Sequence, residues 1–268
     1  MAAGILTNAL TEFEVAIDEL ASNFEFVRAA SRLRPRLGGM LNWQNMDGDA
    51  KSLATTFLRQ RTAQESLLYR GMVVSLAGAF EQFVRRILRD TVLAINASGV
   101  QYDDIAEVIR KHNIHKTGLA LQTVFEPLDH LDLDYDLLSK NIGTCFIGAK
   151  GAVLNAEAFT IFLSIVSPEK LVDAVRRVGV ELKWDALGKR QKLRSALEKN
   201  DTRETAKSLQ EYLKRFGQTR NKIAHTGNSG IVVTEADFEQ LLAFFRIFAS
   251  ALASVLETEI LKVLSTQK

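Results

Sequence analysis

Three side chains suited to phosphate chemistry lie close together in the stretch Arg220-Asn221-Lys222-Ile223-Ala224-His225. A guanidinium is a permanent planar donor for phosphate oxygens, and an imidazole gains or loses a proton near neutral pH. A metal site needs several deprotonated ligands that converge on one point, and this stretch offers one. The stretch therefore favours phosphate binding with proton transfer, and the alternative is an ordinary surface histidine among solubilising charges.

The elements around this stretch are predicted to place it at the end of a helix. Leu209, Leu213 and Phe216 form an apolar stripe at helical spacing, and Gly227 follows as a residue that ends helices. His225 then lies in the last helical turn, where the negative end of the helix dipole favours the protonated imidazolium.

Helical geometry also predicts how the three side chains are arranged. At about 100° per residue, Asn221 and His225 lie one turn apart on nearly the same face. Arg220 points about 140° away from His225 and approaches a shared ligand only from the flank. This arrangement suits one phosphate group contacted from two sides.

The spacing of Arg220, Asn221 and His225 resembles the signature of HEPN ribonucleases. Two further stretches, Leu76 to Phe83 and Leu154 to Phe159, are similar to the RiboL-PSP-HEPN branch of that superfamily. The resemblance covers roughly residues 64–97 and 150–262.

The resemblance implies an all-helical domain, usually a homodimer, that cleaves RNA without a metal or cofactor where two copies of the motif meet. It implies catalytic roles for Arg220, Asn221 and His225. Some HEPN toxins carry a tyrosine two residues after the histidine, whereas this chain has Gly227 there, so control by tyrosine modification is not expected. The resemblance also implies that Glu81 orients the motif, and the alternative is an i,i+4 ion pair with Arg85.

Positive charge is concentrated before the motif. Residues 183–222 contain 12 basic and five acidic residues, although the whole chain has a formal net charge of only +2. Such a segment can contact and steer a polyanion, and we expect Lys214, Arg215 and Lys222 to bind RNA. The alternative for each single lysine is a solvated helical face. A second basic group, Arg28 to Arg36, is interpreted as solvated surface with a minor chance of RNA contact.

The pattern along the chain predicts an all-α protein. Apolar residues mark a long helix over about 5–33, ended by Pro35, and a helical run from an N-cap at Asp49 to about Ala97. The residues interpreted as N-terminal caps of further helices are Asp103-Asp104, Asn155, Ser167, Asp201 and Thr234. We therefore expect an N-terminal helical extension at 1–63 and a HEPN-like helical domain at 64–268, with a helical or irregular insertion at about 98–150.

Several features of the chain exclude other classes. The single cysteine, Cys145, is expected to pack as a small hydrophobe and indicates a reducing compartment, and no secretory signal is visible. Residues 241–256 are interpreted as a buried bundle helix and not as a membrane span, because Arg246 interrupts their apolar run. We expect a cytoplasmic protein with no membrane partner.

Two further motifs do not predict sites. His112, His115 and His130 lack distinctive ligand spacing, so no metal site is expected. Residues 143–151 are glycine-rich but depart from a phosphate-binding loop, and are interpreted as a turn.

The function predicted from these observations is a metal-independent endoribonuclease acting as a toxin or antiphage-defence effector. An antitoxin or other regulatory protein is an expected partner. The alternative is a non-catalytic helical module that binds RNA or protein through the same basic surface.

Overall fold

In the computed structural model, residues 4–41, 43–59, 62–125, 133–147, 152–165, 167–226 and 230–266 are described. Within these ranges the chain forms ten α-helices, two short 3-10 helices and no strand, which confirms the all-α prediction. The helices are α1 (Thr7–Met40), α2 (Gly48–Leu58), α3 (Thr62–Ala97), α4 (Glu107–Gln122), α5 (Tyr135–Phe146), α6 (Pro168–Arg176), α7 (Trp184–Gly188), α8 (Gln191–Ala196), α9 (Thr202–Thr226) and α10 (Glu235–Thr266). The 3-10 helices are Tyr102–Asp104 and Ala156–Phe159.

The four longest helices, α1, α3, α9 and α10, form a bundle with an aromatic centre. Phe13 of α1 lies 5.0 Å from Phe83 of α3 between ring centroids, and Phe80 lies 5.1 Å from Phe245 of α10. Phe216 of α9 contacts Phe245 at 4.6 Å. These rings are almost fully excluded from water, so their burial is the main stabilising contribution that joins the four helices.

Ring pairs also fix the helix directions. Phe24, near the middle of α1, contacts Tyr69 near the start of α3 and Phe238 near the start of α10. Since Phe13 contacts the middle of α3, α1 runs antiparallel to α3 and α10. Thr219 near the end of α9 lines a groove together with Asp237 near the start of α10, whereas Tyr212, earlier in α9, stacks on Phe244, later in α10. One end of the bundle, called the motif end below, therefore combines the ends of α1 and α9 with the starts of α3 and α10.

The prediction that Pro35 ends the first helix was wrong, because α1 continues through it to Met40. Proline removes one backbone donor and disfavours helix in the preceding residue, but tertiary contacts outweigh these costs here. Arg34 forms an ion pair with Glu65 at 2.6 Å, with both side chains largely buried. Leu58 of α2 packs close to Gly38, which lies one turn after Arg34 in α1. The extension also shares one core with the rest of the bundle, since Ile17 is fully buried in it.

Several predicted helix starts are confirmed. The Ser167 hydroxyl accepts a hydrogen bond from the backbone N–H of Lys170, with Pro168 in the first turn. Asp201 accepts from the backbone N–H of Glu204 at 2.9 Å. Thr234 and Asp237 cap each other reciprocally at the start of α10. These caps satisfy backbone donors that have no partner within the helix.

Three other starts were wrong. Asp47, and not Asp49, accepts from Ala50 at the start of α2. Asp103 and Asp104 lie in a 3-10 helix, and α4 begins only at Glu107. The side chain of Asn155 does not cap the 3-10 helix that follows it.

Asn155 connects α4 and α5, the two helices of the region at 98–147. Its side-chain amide donates to Thr117 of α4 and to the carbonyl of Leu138 on α5, and its backbone N–H donates to Asn113. Cys145 is buried beside Asn113, as predicted for a small packed residue. Such a satisfied polar network fixes how the α4–α5 lobe meets the bundle.

The end of α5 differs from the expected turn. Residues 143–146 form its last helical residues, and residues 148–151 lie outside the described part of the chain. His130 also lies outside it.

The last helix, α10, has the length and mean hydropathy of a membrane span over Glu235–Ser265, and half of the apolar window is buried inside the protein. The residues of α10 with no exposed surface are Phe238, Phe245, Phe248, Ala249 and Leu252. The apolar character of α10 is thus accounted for by its position in the bundle core.

Candidate active site

The motif is presented by α9, which is anchored to the core along most of its length. Leu209, Leu213 and Phe216 are buried, and their stripe continues into half-buried Arg220 and Ile223. The helix begins at its Asp201 cap and ends at Thr226, so His225 lies in the last turn as predicted. Gly227 lies outside the described residues.

Helical rotation directs His225 away from the protein. It lies nine residues after Phe216, which is about two and a half turns, so the two side chains point to opposite sides of α9. Phe216 is in the core, and His225 is exposed. Asn221, one turn before His225, is half-buried. His225 is therefore available to a ligand or to a second protein chain.

Arg220 and Asn221 form a pair at the edge of this exposed face. The Arg220 Nη1 donates a hydrogen bond to the Asn221 Oδ1 at 3.1 Å. An arginine has five N–H donors, and this contact uses one of them. The amide thus holds the guanidinium plane while leaving capacity for a phosphate.

The predicted RNA-binding residues lie on the same helix. Lys214, Arg215 and Lys222 are all exposed. Arg215 donates through Nε to the carbonyl of Glu211, and the charge of Lys214 contributes to lowering the pKa of Glu169, after the Ser167 hydroxyl and the backbone. Since Lys214 lies seven residues before Asn221, about two turns, both project from the same side of α9. The basic residues therefore continue the exposed face that carries His225.

A groove of about 360 Å³ lies beside the motif, between α9, residues 231–233 and the start of α10. Thr219, directly before Arg220, lines it together with Arg215 and Asp237. Thr219 and His225 are six residues apart and point about 120° apart. The groove is therefore a flank of the motif and not the space in front of the imidazole.

Tyr212 forms the apolar side of this groove and stacks on Phe244 at 3.9 Å between ring centroids. Burial raises the pKa of Tyr212 to about 12. Because the phenol keeps its proton throughout the neutral range, Tyr212 contributes packing and a neutral hydroxyl near the motif.

The basic residues of α1 lie at the motif end of the bundle. The sequence did not predict this position. Arg28 and Arg32 both contact Glu235 at 2.9 Å. Arg34 is paired with Glu65. These ion pairs join α1 to α10 and α3, so most of this charge is neutralised within the protein.

Glu81 has partners other than the motif. Its Oε1 accepts from Arg85 at 2.8 Å, the i,i+4 pair named as the alternative, and its Oε2 accepts from the backbone N–H of Ile165 at 3.4 Å. Ile165 lies beside Leu213 in the core, and Leu213 is about 18 Å from His225 along the helix axis. An orienting role for Glu81 stays a prediction.

Two arginines, Arg177 and the Glu81 partner Arg85, shape the segment after the second 3-10 helix, a role that the sequence did not predict for either. Arg85 donates to the carbonyls of Thr160 and Leu163, and Arg177 donates to those of Phe159 and Ile161. Between them Phe162 is half-exposed with a φ of 50°, a conformation that bulky residues rarely adopt. Nothing in the local sequence distinguishes these arginines from solvated ones.

Among the residues that the structure describes, no group of three or more His, Cys, Asp or Glu side chains is arranged to hold a metal ion. The motif itself carries one imidazole, one guanidinium and one amide, with the ammonium group of Lys222 between them in sequence.

Fold and site together define an all-helical protein with an Arg-Asn-x-x-x-His motif exposed at the end of a bundle helix. The family model described as RiboL-PSP-HEPN matches residues 49–258. The chain belongs to the RiboL-PSP-HEPN family. The match begins within α2 and includes α4 and α5, while α1 lies outside it.

No curated protein and no solved structure matches the chain. Proteins with HEPN domains are often ribonucleases, so family membership suggests RNA cleavage as an activity.

Proposed function

We propose that the protein is a metal-independent endoribonuclease whose active site forms where two copies of α9 meet. The observation that supports this most strongly is the exposure of His225 beside the Arg220–Asn221 pair, on the face of α9 opposite its buried stripe. A catalytic imidazole has to reach substrate, and the oriented guanidinium beside it distinguishes His225 from an isolated surface histidine.

The reaction needs no nucleophile from the protein, because the 2′-hydroxyl of the RNA attacks the adjacent phosphorus. A neutral His225 accepts the 2′-hydroxyl proton as the new P–O bond forms. Arg220 donates to the phosphorane oxygens, where negative charge accumulates, and Asn221 holds the guanidinium in position. The bond to the 5′-oxygen then breaks, and this oxygen takes a proton from an imidazolium.

A second copy supplies that imidazolium. One protomer offers one motif histidine, and base and acid have to act on opposite sides of the same phosphorus. Two-fold symmetry places a second His225 across from the first, so one is neutral and the other protonated at the start of the reaction. The products are a 2′,3′-cyclic phosphate and a 5′-hydroxyl.

The substrate is single-stranded or looped RNA, because in-line attack requires a flexible linkage and unstacked bases are easier to reach. Lys214, Arg215 and Lys222 contact its phosphates along the exposed face of α9. We infer a cytoplasmic toxin or antiphage-defence effector that is controlled by an antitoxin or another regulatory protein. This physiological role is tested by growth arrest on expression and its relief by His225→Ala.

Cleavage of mixed RNA in EDTA, by wild type and by His225→Ala, tests the enzymatic proposal. We expect cleavage by the wild type alone, with cyclic phosphate and 5′-hydroxyl ends. Lys170→Gln, a charge change on α6 away from the motif, is the matched control and should cleave normally. Equal cleavage by His225→Ala would contradict the proposal. Salt-sensitive RNA binding without any cleavage by dimers would support a non-catalytic binding module instead.

A further inference from the structure

The outer side of α1 carries a second regular pattern, opposite the side that packs into the bundle. The inner stripe, which packs into the core at alternating steps of four and three residues, consists of Phe13, Ile17, Leu20, Phe24 and Val27. Two residues further on, about 200° around the helix, an outer stripe follows the same repeat. Its members, all exposed to solvent, are Val15, Glu19, Ser22, Phe26, Ala29, Leu33, Arg36 and Met40.

The outer stripe is more apolar than the solvent side of a bundle helix normally is. A surface helix usually presents charged and polar residues on the face opposite its core stripe. Here Phe26 and Met40 are 75% and 76% exposed, and Val15 and Leu33 are about half-exposed. Apolar residues at alternating steps of three and four are the pattern through which helices pair as coiled coils. The outer stripe is therefore suited to contact another helix.

Charge is segregated along α1, with five acidic residues within 12–25 and four basic residues within 28–36. Most of these residues form ion pairs inside the protein: Arg28 and Arg32 with Glu235, Arg34 with Glu65, Glu12 with Arg86, Asp18 with Arg246, and Glu25 with Arg28. Glu19 and Arg36, the two charged members of the outer stripe, have no ion pair within the described part of the chain. Each can pair with an opposite charge on a partner.

We propose that α1 pairs with α1 of a second copy of this chain, antiparallel about a two-fold axis between Phe26 and Ala29. In a two-fold contact, residue i of one copy faces residue j of the other, and j faces i. With the axis at this point, the facing pairs between the copies are Phe26 with Ala29, Ser22 with Leu33, Glu19 with Arg36, and Val15 with Met40. They match a large with a small side chain, opposite charges, and two apolar ends, while the remaining pair is uncharged.

The charges select this arrangement over the alternatives. A parallel pair would place Glu19 against Glu19 and Arg36 against Arg36, and facing like charges destabilise an interface. A displacement by one heptad in either direction separates Glu19 from Arg36 by about 10 Å along the helix axis. The antiparallel arrangement about Phe26 and Ala29 is the one in which all eight outer residues face each other.

This contact is separate from the proposed catalytic one. α1 lies outside the residues matched by the family model, and the motif is on α9. The inner stripe of α1 packs against α3 and α10, which leaves the outer stripe available. The pairing does not depend on nuclease activity. If copies also meet through α9, each chain has two two-fold contacts and the assembly is larger than a dimer.

Disulfide trapping in the full-length protein tests the pairing and its alignment. Glu19→Cys/Arg36→Cys puts thiols at two facing positions, so oxidation should give a covalent dimer on a denaturing gel without reductant. Either single variant should stay monomeric on that gel, because the same position in the second copy lies about 25 Å away along the axis. Cys145 is buried, so wild type is the background control and should also stay monomeric.

Charge exchange tests the same contact reversibly by sedimentation equilibrium, since any contact through α9 is common to all variants. Glu19→Arg and Arg36→Glu should each weaken the α1 association by at least about tenfold, because each brings like charges together twice per pair. The combined variant Glu19→Arg/Arg36→Glu restores opposite charges and should return to within about threefold of the wild-type affinity. Glu14→Arg, the same charge change at an exposed residue of α1 outside the stripe, is the matched control and should change the affinity less than about twofold.

Three results would overturn the proposal. Covalent dimers from either single cysteine variant would show a different alignment of the two helices. Absence of a covalent dimer from Glu19→Cys/Arg36→Cys would mean that the outer stripe binds a different partner. A combined charge variant that associates no better than the single variants would show that Glu19 and Arg36 do not face each other. These residues are exposed, so wild-type melting temperatures are expected for all variants and exclude misfolding as the cause.

Discussion

Arg220 and His225 have different surroundings, and the difference matches different tasks. Arg220 is half-buried and hydrogen-bonded to Asn221, so its guanidinium has a defined orientation. His225 is exposed in the last turn of α9, where a substrate can reach its imidazole. A fixed charge and an accessible proton carrier are what phosphoryl chemistry with an internal nucleophile requires.

The orientation of the guanidinium gives a prediction for Arg220→Lys. Lysine keeps the charge but cannot donate to Asn221 and to two phosphate oxygens from one plane. We expect kcat for RNA cleavage to fall by about 10²-fold or more, with KM changed much less. Single-turnover cleavage assays measure this change. Arg203→Lys, at the exposed start of the same helix, is the control and should leave kcat unchanged. A merely electrostatic role for Arg220 would instead give nearly normal kcat in Arg220→Lys.

Tyr212 offers a test of the packing beside the motif. Burial raises its pKa from the ordinary value of 10.0 to about 12, so the folded state holds the phenolic proton more tightly than the unfolded state. The stability contributed by this group is present below about pH 10 and is lost as pH rises towards about 12. Absorbance titration of tyrosinate should show a late component that is missing in Tyr212→Phe. If Tyr212→Phe titrates as wild type does, the stacking on Phe244 is not as described.

At the scale of elements, one close approach fixes the start of α9. Gly188 ends α7 where it crosses the first turn of α9, and a Cβ there would overlap the carbonyl oxygen of Thr202. A backbone atom cannot move aside as a side chain can. Glycine is therefore required at this crossing, which positions the helix that carries the motif.

Gly188→Ala should accordingly destabilise the protein by about 1–3 kcal/mol, as overpacking does in well-packed cores. The matched control is Gly118→Ala, because Gly118 lies in the interior of α4 with open space around its Cβ position. Alanine there should stabilise by about 0.5–1 kcal/mol through its higher helix propensity. Urea unfolding of both variants measures the free energies. Equal effects of the two substitutions would show that the crossing is looser than described.

The elements show what sequence patterns can and cannot predict. Ser167, Asp201 and Thr234 were recognised as caps because capping depends on residues only three positions apart. Pro35 was misjudged because its helix is held by Glu65 and by α2, which are distant in sequence. Local rules predict helix ends well only where tertiary contacts do not compete.

The same reasoning applies to the site. The placement of Arg220, Asn221 and His225 near the end of one helix was predicted from the local sequence, while their catalytic roles stay a prediction drawn from the family resemblance. The contacts of Glu81 with Ile165 and of Arg177 with Phe159 depend on which segments pack together, and no spacing in the sequence encodes that. The motif can therefore be predicted from the sequence, while the contacts that surround it can be described only from the structure.

At the scale of the whole molecule, the bundle presents one motif with one histidine to solvent. Core residues hold α9 rigidly from Leu209 to Phe216, and the motif follows at the exposed end. A rigid helix end is suited to symmetric docking, because two copies can bring their His225 side chains together without rearrangement. Activity should therefore belong to the dimer and not to the single chain.

Mixing wild-type protein with increasing amounts of His225→Ala, at constant total concentration and after subunit exchange, tests this claim most directly. If each cleavage uses His225 from both copies, a mixed dimer is inactive, and activity falls as the square of the wild-type fraction. Lys170→Gln mixed in the same way should leave activity unchanged. A linear fall would mean that one His225 suffices, and the proposed sharing of base and acid between two copies would be wrong.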